Sequence, residues 1–253
     1  AVWTYKSLGG FYWAGCAIVG GSVVFGCDDG TIYANKPSKV VSLNKKSGKL
    51  LDALPIVGDQ RSSMRYSDGR LYFTTKAGYL YSVSLNSDGS FNDSSVKRLS
   101  LGGASTSTPL IYKGRLYLGV QGSGFGPGYF KVIDAAKLSV IYSAAVKGYP
   151  QGGFLLKEGD RANIYITYNN NPGGITMFTD SVGQTKAKNC DIFTPTGDMT
   201  GYCISSVICD ENGTLFYKND SGYIFALRNK TQKVSFFKKI INAIAKFFKR
   251  LFG

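Results

Sequence analysis

Gly69-Arg70-Leu71-Tyr72-Phe73-Thr74-Thr75-Lys76-Ala77-Gly78-Tyr79-Leu80-Tyr81 decides the fold. Aromatic and aliphatic residues alternate, a Gly-containing turn follows, and the alternation resumes, which is the pattern of a β-hairpin. It recurs at Gly21-Ser22-Val23-Val24-Phe25 running to Asp29-Gly30-Thr31-Ile32-Tyr33, and at Gly114-Arg115-Leu116-Tyr117-Leu118 running to Tyr129-Phe130. Asn163-Ile164-Tyr165-Ile166 with Gly174-Ile175-Thr176-Met177 is a degenerate copy, and Gly213-Thr214-Leu215-Phe216-Tyr217 with Gly222-Tyr223-Ile224-Phe225 is the last. Aligning Val23, Leu71, Leu116, Ile164 and Leu215 spaces the copies by 48, 45, 48 and 51 residues. A period of that length, holding several strands, predicts propeller blades.

The strand before each hairpin is expected innermost (residues 14–19, 63–66, 109–112, 153–156 and 204–208) and the strand after it outermost. Residues 2–6 read as a strand with no hairpin partner, while 203–227 supply three strands of a blade. Joining the two ends completes that blade and removes an open edge. The expected architecture is all-β: a five-bladed propeller of four-stranded blades over residues 1–229, closed by the N-terminal strand, then a helical tail over 230–253. The chain starts at Ala1 with neither an initiator methionine nor a signal peptide, which reads as a processed product.

The turn Leu43-Asn44-Lys45-Lys46-Ser47-Gly48-Lys49-Leu50-Leu51 has counterparts at Asp134-Ala135-Ala136-Lys137 and Leu85-Asn86-Ser87-Asp88-Gly89-Ser90. An apolar strand end, Asn or Asp, a polar Ser-Gly-Lys turn and an outer strand resemble the pyrroloquinoline-quinone-like propeller repeat, one of the WD40- and YVTN-like repeat types. Trp3 stands where that repeat carries its outer-strand tryptophan. The resemblance covers residues 1–229 and implies the fold; its non-catalytic members are scaffolds and surface proteins. This chain departs from the quinone enzymes, which have more blades, a calcium-ligand set and a stacking tryptophan. No cofactor is therefore expected, neither pyrroloquinoline quinone nor calcium.

Lys and Arg number 30 against 16 Asp and Glu, a net +14. Eight of the cations, and no acid, fall in residues 228–253, leaving 22 against 16 for the body. The tail makes the protein basic, so the body carries no nucleic-acid patch and no nucleic-acid partner is expected. The absence of histidine removes imidazole ligands and His-dependent triads, and the five cysteines have no C-x-x-C spacing, so no metal site is expected. With Gly20-Gly21 as a hairpin turn, Cys16 and Cys27 lie near one another on one face, as a disulfide or as free thiols.

Ser235 can cap a helix over 236–252. On it Phe236, Phe237, Ile240, Ile241, Ile244, Phe247, Phe248, Leu251 and Phe252 fall within an arc of about 160°, opposite Lys238, Lys239, Lys246, Lys249 and Arg250. Such a face packs on the body, self-associates, lies on a membrane surface or fills a partner's groove. The ending is similar to Phe/Lys-rich endings of surface proteins of Gram-positive anaerobes, which implies an extracellular or cell-surface location.

Ligands are expected at the mouth formed by the loops entering the innermost strands and by the hairpin turns. Tyr12, Trp13, Gln60, Arg61, Thr106, Tyr149, Gln151 and Tyr202 come from the entry loops, and Asp28 and Asp29 from the first hairpin turn; Lys76, Gln121, Asn170 and Asp220 occupy the others. Aromatic faces beside amides and hydroxyls suit sugars or peptides. A glycosidase needs carboxyls about 5–9 Å apart in the channel. The innermost strands offer only Glu158 and Asp210 at their ends, and Asp59 and Asp198 sit in distant loops. The Gly122–Gly128 run lacks the Lys-Ser/Thr of a phosphate loop. The expected role is a non-enzymatic binding or scaffold module for glycans, cell-wall material or protein. The rivals are a quinone-dependent dehydrogenase, a glycan-cleaving hydrolase and a structural spacer.

Overall fold

The computed structural model describes the chain apart from residues 8, 13, 14, 29–36, 125 and 230–253. The expected tail helix therefore lies outside the described residues, as do Trp13 and Asp29. Five antiparallel sheets follow one another in chain order, each an up-and-down meander. The first contains β1 (Ala17–Val19), β2 (Ser22–Cys27), β3 (Pro37–Asn44) and β4 (Leu50–Val57), and the second β5 (Arg65–Ser67), β6 (Arg70–Thr74), β7 (Tyr79–Val83) and β8 (Lys97–Ser100). The third contains β9 (Leu110–Tyr112), β10 (Arg115–Val120), β11 (Gly128–Asp134) and β12 (Ser139–Val146). The fourth contains β13 (Tyr149–Glu158), β14 (Arg161–Asn169), β15 (Gly174–Ser181) and β16 (Lys188–Phe193). The fifth has three strands, β17 (Ile208–Cys209), β18 (Leu215–Lys218) and β19 (Ile224–Leu227).

The aligned residues Val23, Leu71, Leu116, Ile164 and Leu215 are buried on β2, β6, β10, β14 and β18, the second strand of every sheet. The first strands β1, β5, β9 and β13 neighbour one another in turn, as innermost strands must. The core lies between sheets rather than beneath one face. Leu71 and Phe73 pack with Val24, Val40 and Ile56 of the first sheet, whereas Tyr72 between them packs with Leu116 and Leu118 of the third. With both faces covered, a strand can carry an unbroken apolar run, because successive side chains serve different neighbours. Tyr117, Phe130, Ile164 and Phe178 join sheets three and four, with the Phe130 and Phe178 rings stacked at 4.0 Å. Ile175, Leu215, Tyr217 and Phe225 join four and five.

Residues 1–7 form no strand, so the fifth sheet lacks the fourth strand expected from the N-terminus. The segment is anchored by a side chain instead. The Trp3 indole N–H donates to the Lys45 carbonyl at 3.0 Å, and its ring covers Gly48, where any Cβ would strike it. Gly48 also has φ +70, a left-handed backbone that suits glycine. Asn44 Oδ1 accepts from the Lys46 and Ser47 amides, and Asp134 Oδ1 from those of Ala136 and Lys137, so the two turns are built alike. All five cysteines are free thiols, with Cys16 exposed and Cys27 buried.

Candidate functional site

Three residues after each aligned core position, β2 and β10 carry Gly26 and Gly119, whereas β6 and β14 carry Thr74 and Thr167. At the glycines the next sheet's entry loop lies against the backbone. A Cβ on Gly26 would fall 2.0 Å from Gln60 Oε1, and one on Gly119 would fall 2.1 Å from the Pro150 carbonyl oxygen. At the threonines a hydroxyl makes the link. Thr74 Oγ1 donates to the Ser107 carbonyl at 2.9 Å, and Thr167 Oγ1 to that of Ser205 at 2.6 Å. These four contacts place the segments entering the second to fifth sheets against the preceding sheet and so shape the mouth.

A cleft of about 430 Å³ opens there. Arg61, Thr106, Tyr149 and Gln151, four of the residues expected from the entry loops, line it together with Lys76 and Gln121 of the hairpin turns. Thr106, Tyr149 and Gln151 form one hydrogen-bonded group. The Tyr149 hydroxyl accepts from the Thr106 amide at 2.6 Å and meets Thr106 Oγ1 at 3.1 Å; Gln151 Nε2 donates to Thr106 Oγ1 at 3.3 Å. Ser63, Thr108, Asn169 and Ser206 add further hydroxyl and amide groups. No carboxylate is among the described lining residues.

The other expected residues lie elsewhere. Gln60 is buried as a wedge on Gly26, its Nε2 donating to Ser62 Oγ at 3.0 Å. Asp28 is buried beneath the mouth and accepts from Arg61 Nε at 2.6 Å, with Asp59 at 3.7 Å on the same guanidinium. The Tyr12 ring lies 3.9 Å from Arg61 Cζ, a cation–π contact. Tyr12 also helps line an aromatic pocket with Trp3, Tyr5, Phe11 and Phe25. Tyr202 is exposed and lines no part of the cleft. Burial holds the Lys76 ammonium below its usual value, and the Arg61 charge adds to this against the pull of Asp59 and Asp28.

A second charged centre, unsuspected in the sequence, lies between sheets three and four. Asp180, fully buried, accepts from Arg115 Nε and Nη2 at 2.6 and 2.9 Å and from the hydroxyls of Tyr117 and Tyr142 at 2.9 and 2.7 Å. Arg115 also donates to the Gln184 carbonyl at 2.8 Å. Burial, reinforced by the Asp180 charge, pushes both phenols well above the usual tyrosine range. Alternation in β15 hides this centre, since Asp180 occupies an inward position that ordinarily takes an apolar side chain.

No family model and no curated protein matches the sequence. Solved structures do match in fold. A quinohemoprotein alcohol dehydrogenase from Pseudomonas putida superposes with TM-score 0.56 at 12% identity over 89% of this chain and 41% of its own. BamB from Moraxella catarrhalis gives 0.55 at 10% identity over 90% and 61%, and the WD40 propeller domain of Doa1 gives 0.53 at 12% over 85% and 63%. The chain thus spans less than two thirds of each. These likenesses, with the sheet order above, establish a β-propeller with PQQ-like and WD40-like neighbours.

Proposed function

We propose that the five sheets are the blades of one closed propeller and that the chain is a non-enzymatic, extracellular or cell-surface binding module whose entry cleft takes a glycan. One observation carries the reading: the hydroxyls and amides of Thr106, Thr108, Gln121, Tyr149, Gln151 and Asn169, drawn from segments next to β9 and β10 of sheet three and from β13 and β14 of sheet four, converge on one cleft. Hydroxyl and amide groups held in place by their own hydrogen bonds suit a polyhydroxylated ligand, which offers donors and acceptors in equal measure. The absence of carboxylates among the described lining residues argues against the hydrolase, which needs an acid and a nucleophile or base at the sugar. The dehydrogenase named among the structural neighbours finds little support in the donor set. Asp28 and Asp59 are turned onto Arg61, and no three Cys, Asp or Glu side chains among the described residues could hold a metal ion. Closure rests on the run of neighbouring first strands from β1 through β5 and β9 to β13 and on the propeller neighbours, while Trp3 on Gly48 ties the N-terminus to the first sheet. The basic tail then adds a membrane-surface or self-association element to a body that binds no nucleic acid.

The test is titration of the full chain with chitotetraose and cellotetraose by calorimetry. Binding is expected to weaken about tenfold in Gln151→Ala, the loss of roughly one directed hydrogen bond. Saccharide binding indifferent to Gln151→Ala and Thr106→Ala, or no binding to either sugar, would sink the reading.

A further inference from the structure

The innermost strands also have a far end. The chain turns back there at Ser67-Asp68-Gly69-Arg70, Tyr112-Lys113-Gly114-Arg115 and Glu158-Gly159-Asp160-Arg161. A second cavity of about 690 Å³ opens among these turns, lined by Arg65, Tyr66, Asp68, Tyr112, Lys113 and Lys157 over an apolar floor that includes Leu110 and Phe154. Strand β13 reaches both ends of the channel: Gln151 lines the entry cleft and Lys157 this exit cavity, about 20 Å apart at strand rise.

The chemistry here differs from that of the entry cleft. Tyr112 is a fixed platform. Its hydroxyl donates to the Gly159 carbonyl in the turn of the next sheet, and beside it Lys113 pairs with Asp160. Two ammonium groups flank its ring, Lys113 Nζ at 5.7 Å and Lys157 Nζ at 5.4 Å from the centroid. Across the cavity Tyr66 is 43% exposed, an aromatic surface that the fold leaves in water. Beside it Arg65 Nε leans on the Pro109 carbonyl at 3.4 Å. Arg65, Lys113 and Lys157 face one lining acid, Asp68, with Asp160 on Lys113 and Glu158 held by Asn163 at the rim.

We propose that this exit cavity is a second binding site, for an acidic glycan: a sugar ring stacks on Tyr112 or Tyr66, and its carboxylate is met by Lys157 and Arg65. Aromatic faces accept the apolar side of a sugar ring, and the flanking cations select a charged ring over a neutral one. The rigid tie of Tyr112 to the neighbouring turn lowers the entropy lost on binding. With a glycan site at each end, the propeller would join two polysaccharide segments of different charge.

The experiment titrates the full chain with tetragalacturonate and with its fully methyl-esterified form, by calorimetry at low salt. The acid is expected to bind and the ester to bind at least tenfold more weakly. Lys157→Gln, an exposed substitution, should weaken acid binding about tenfold, as loss of a charge-assisted contact does, and Tyr66→Ala should reduce binding of both forms. Gln151→Ala and Thr106→Ala should leave acid binding unchanged, which separates this site from the entry cleft whatever that cleft binds. Equal binding of acid and ester, loss in the entry-cleft variants instead, a short DNA duplex competing as strongly as the acid, or no binding in Lys157-intact protein would each overturn the proposal.

Discussion

Two arginines are buried among the described residues, Arg61 and Arg115, and they are held differently. Arg115 meets one carboxylate, Asp180, side-on, and that carboxylate is further capped by two tyrosine hydroxyls. Arg61 lies between two carboxylates, Asp28 close and Asp59 at 3.7 Å, under the Tyr12 ring and at the wall of the entry cleft. A buried charge is tolerated only when its partners replace the water it has lost. At Arg115 the partner carboxylate accepts four hydrogen bonds and faces inward, so the centre is a clasp between sheets three and four. At Arg61 the charges lie against a cleft, so one centre both fastens the first two sheets and sets the field at the mouth. A cation in an entry loop is therefore a structural element first, and truncating it is a poor test of ligand contact.

Asp180→Ala should have the largest effect, about 3–5 kcal/mol, because it strands a buried guanidinium and two phenols at once. Denaturant unfolding would measure it, and a cost below about 1 kcal/mol would mean that water enters the interface and the clasp is an ornament. Arg61→Met should cost about 3 kcal/mol, since Asp28 and Asp59 lose their common counter-charge beside a cleft that water can reach. A wild-type melting temperature in that variant would erase the likeness between the two centres. Thr74→Val, near-isosteric, should cost about 1–2 kcal/mol by leaving the Ser107 carbonyl without its donor, and Thr167→Val about the same; a large difference between them would show that the sheets are fastened unequally.

The smallest effect concerns pH. Hydrogen bonds from Lys147 and Lys113 hold Asp191 and Asp160 below the ordinary carboxylate value of 3.8. A carboxyl depressed on folding adds stability that is present above 3.8 and is lost as pH falls through the folded value. Both are exposed, so the melting temperature should fall only slightly from about pH 5 to about pH 3 on their account, and Lys147→Gln should flatten that slope. An unchanged slope would assign acid sensitivity to the buried centres instead.

Much of the fold was legible because the repeat writes its own register. Leu71 and its four counterparts recur every 45 to 51 residues, and each is buried on the second strand of its sheet. The entry-loop register likewise brought Arg61, Thr106, Tyr149 and Gln151 into one cleft. Gln60 and Asp28 were legible as mouth residues but not as buried ones. Their depth depends on Gly26 admitting the Gln60 side chain and on Arg61 turning toward Asp28, two approaches between segments about 33 residues apart. The N-terminal segment reads as a strand from its alternation, yet Trp3 holds it to the Gly48 turn, since one indole contact can place a segment that no ladder of hydrogen bonds secures.

By itself the sequence determined the repeat, the hairpins of the second to fifth units (in the first, the strand returning beside β2 is Pro37–Asn44 rather than the expected residues 29–33), the Asn44 and Asp134 turns and the loops that build the mouth. All of these rest on local geometry: alternation, glycine conformations and side-chain-to-backbone hydrogen bonds a few residues apart. The tertiary structure alone decided which neighbour each face of a strand serves, that Asp180 belongs with Arg115 from 65 positions away, and that Tyr112 and Lys157 share a cavity at the far end of the channel. Pairings of that range depend on how sheets face one another in space, and a spacing along the chain carries no record of it.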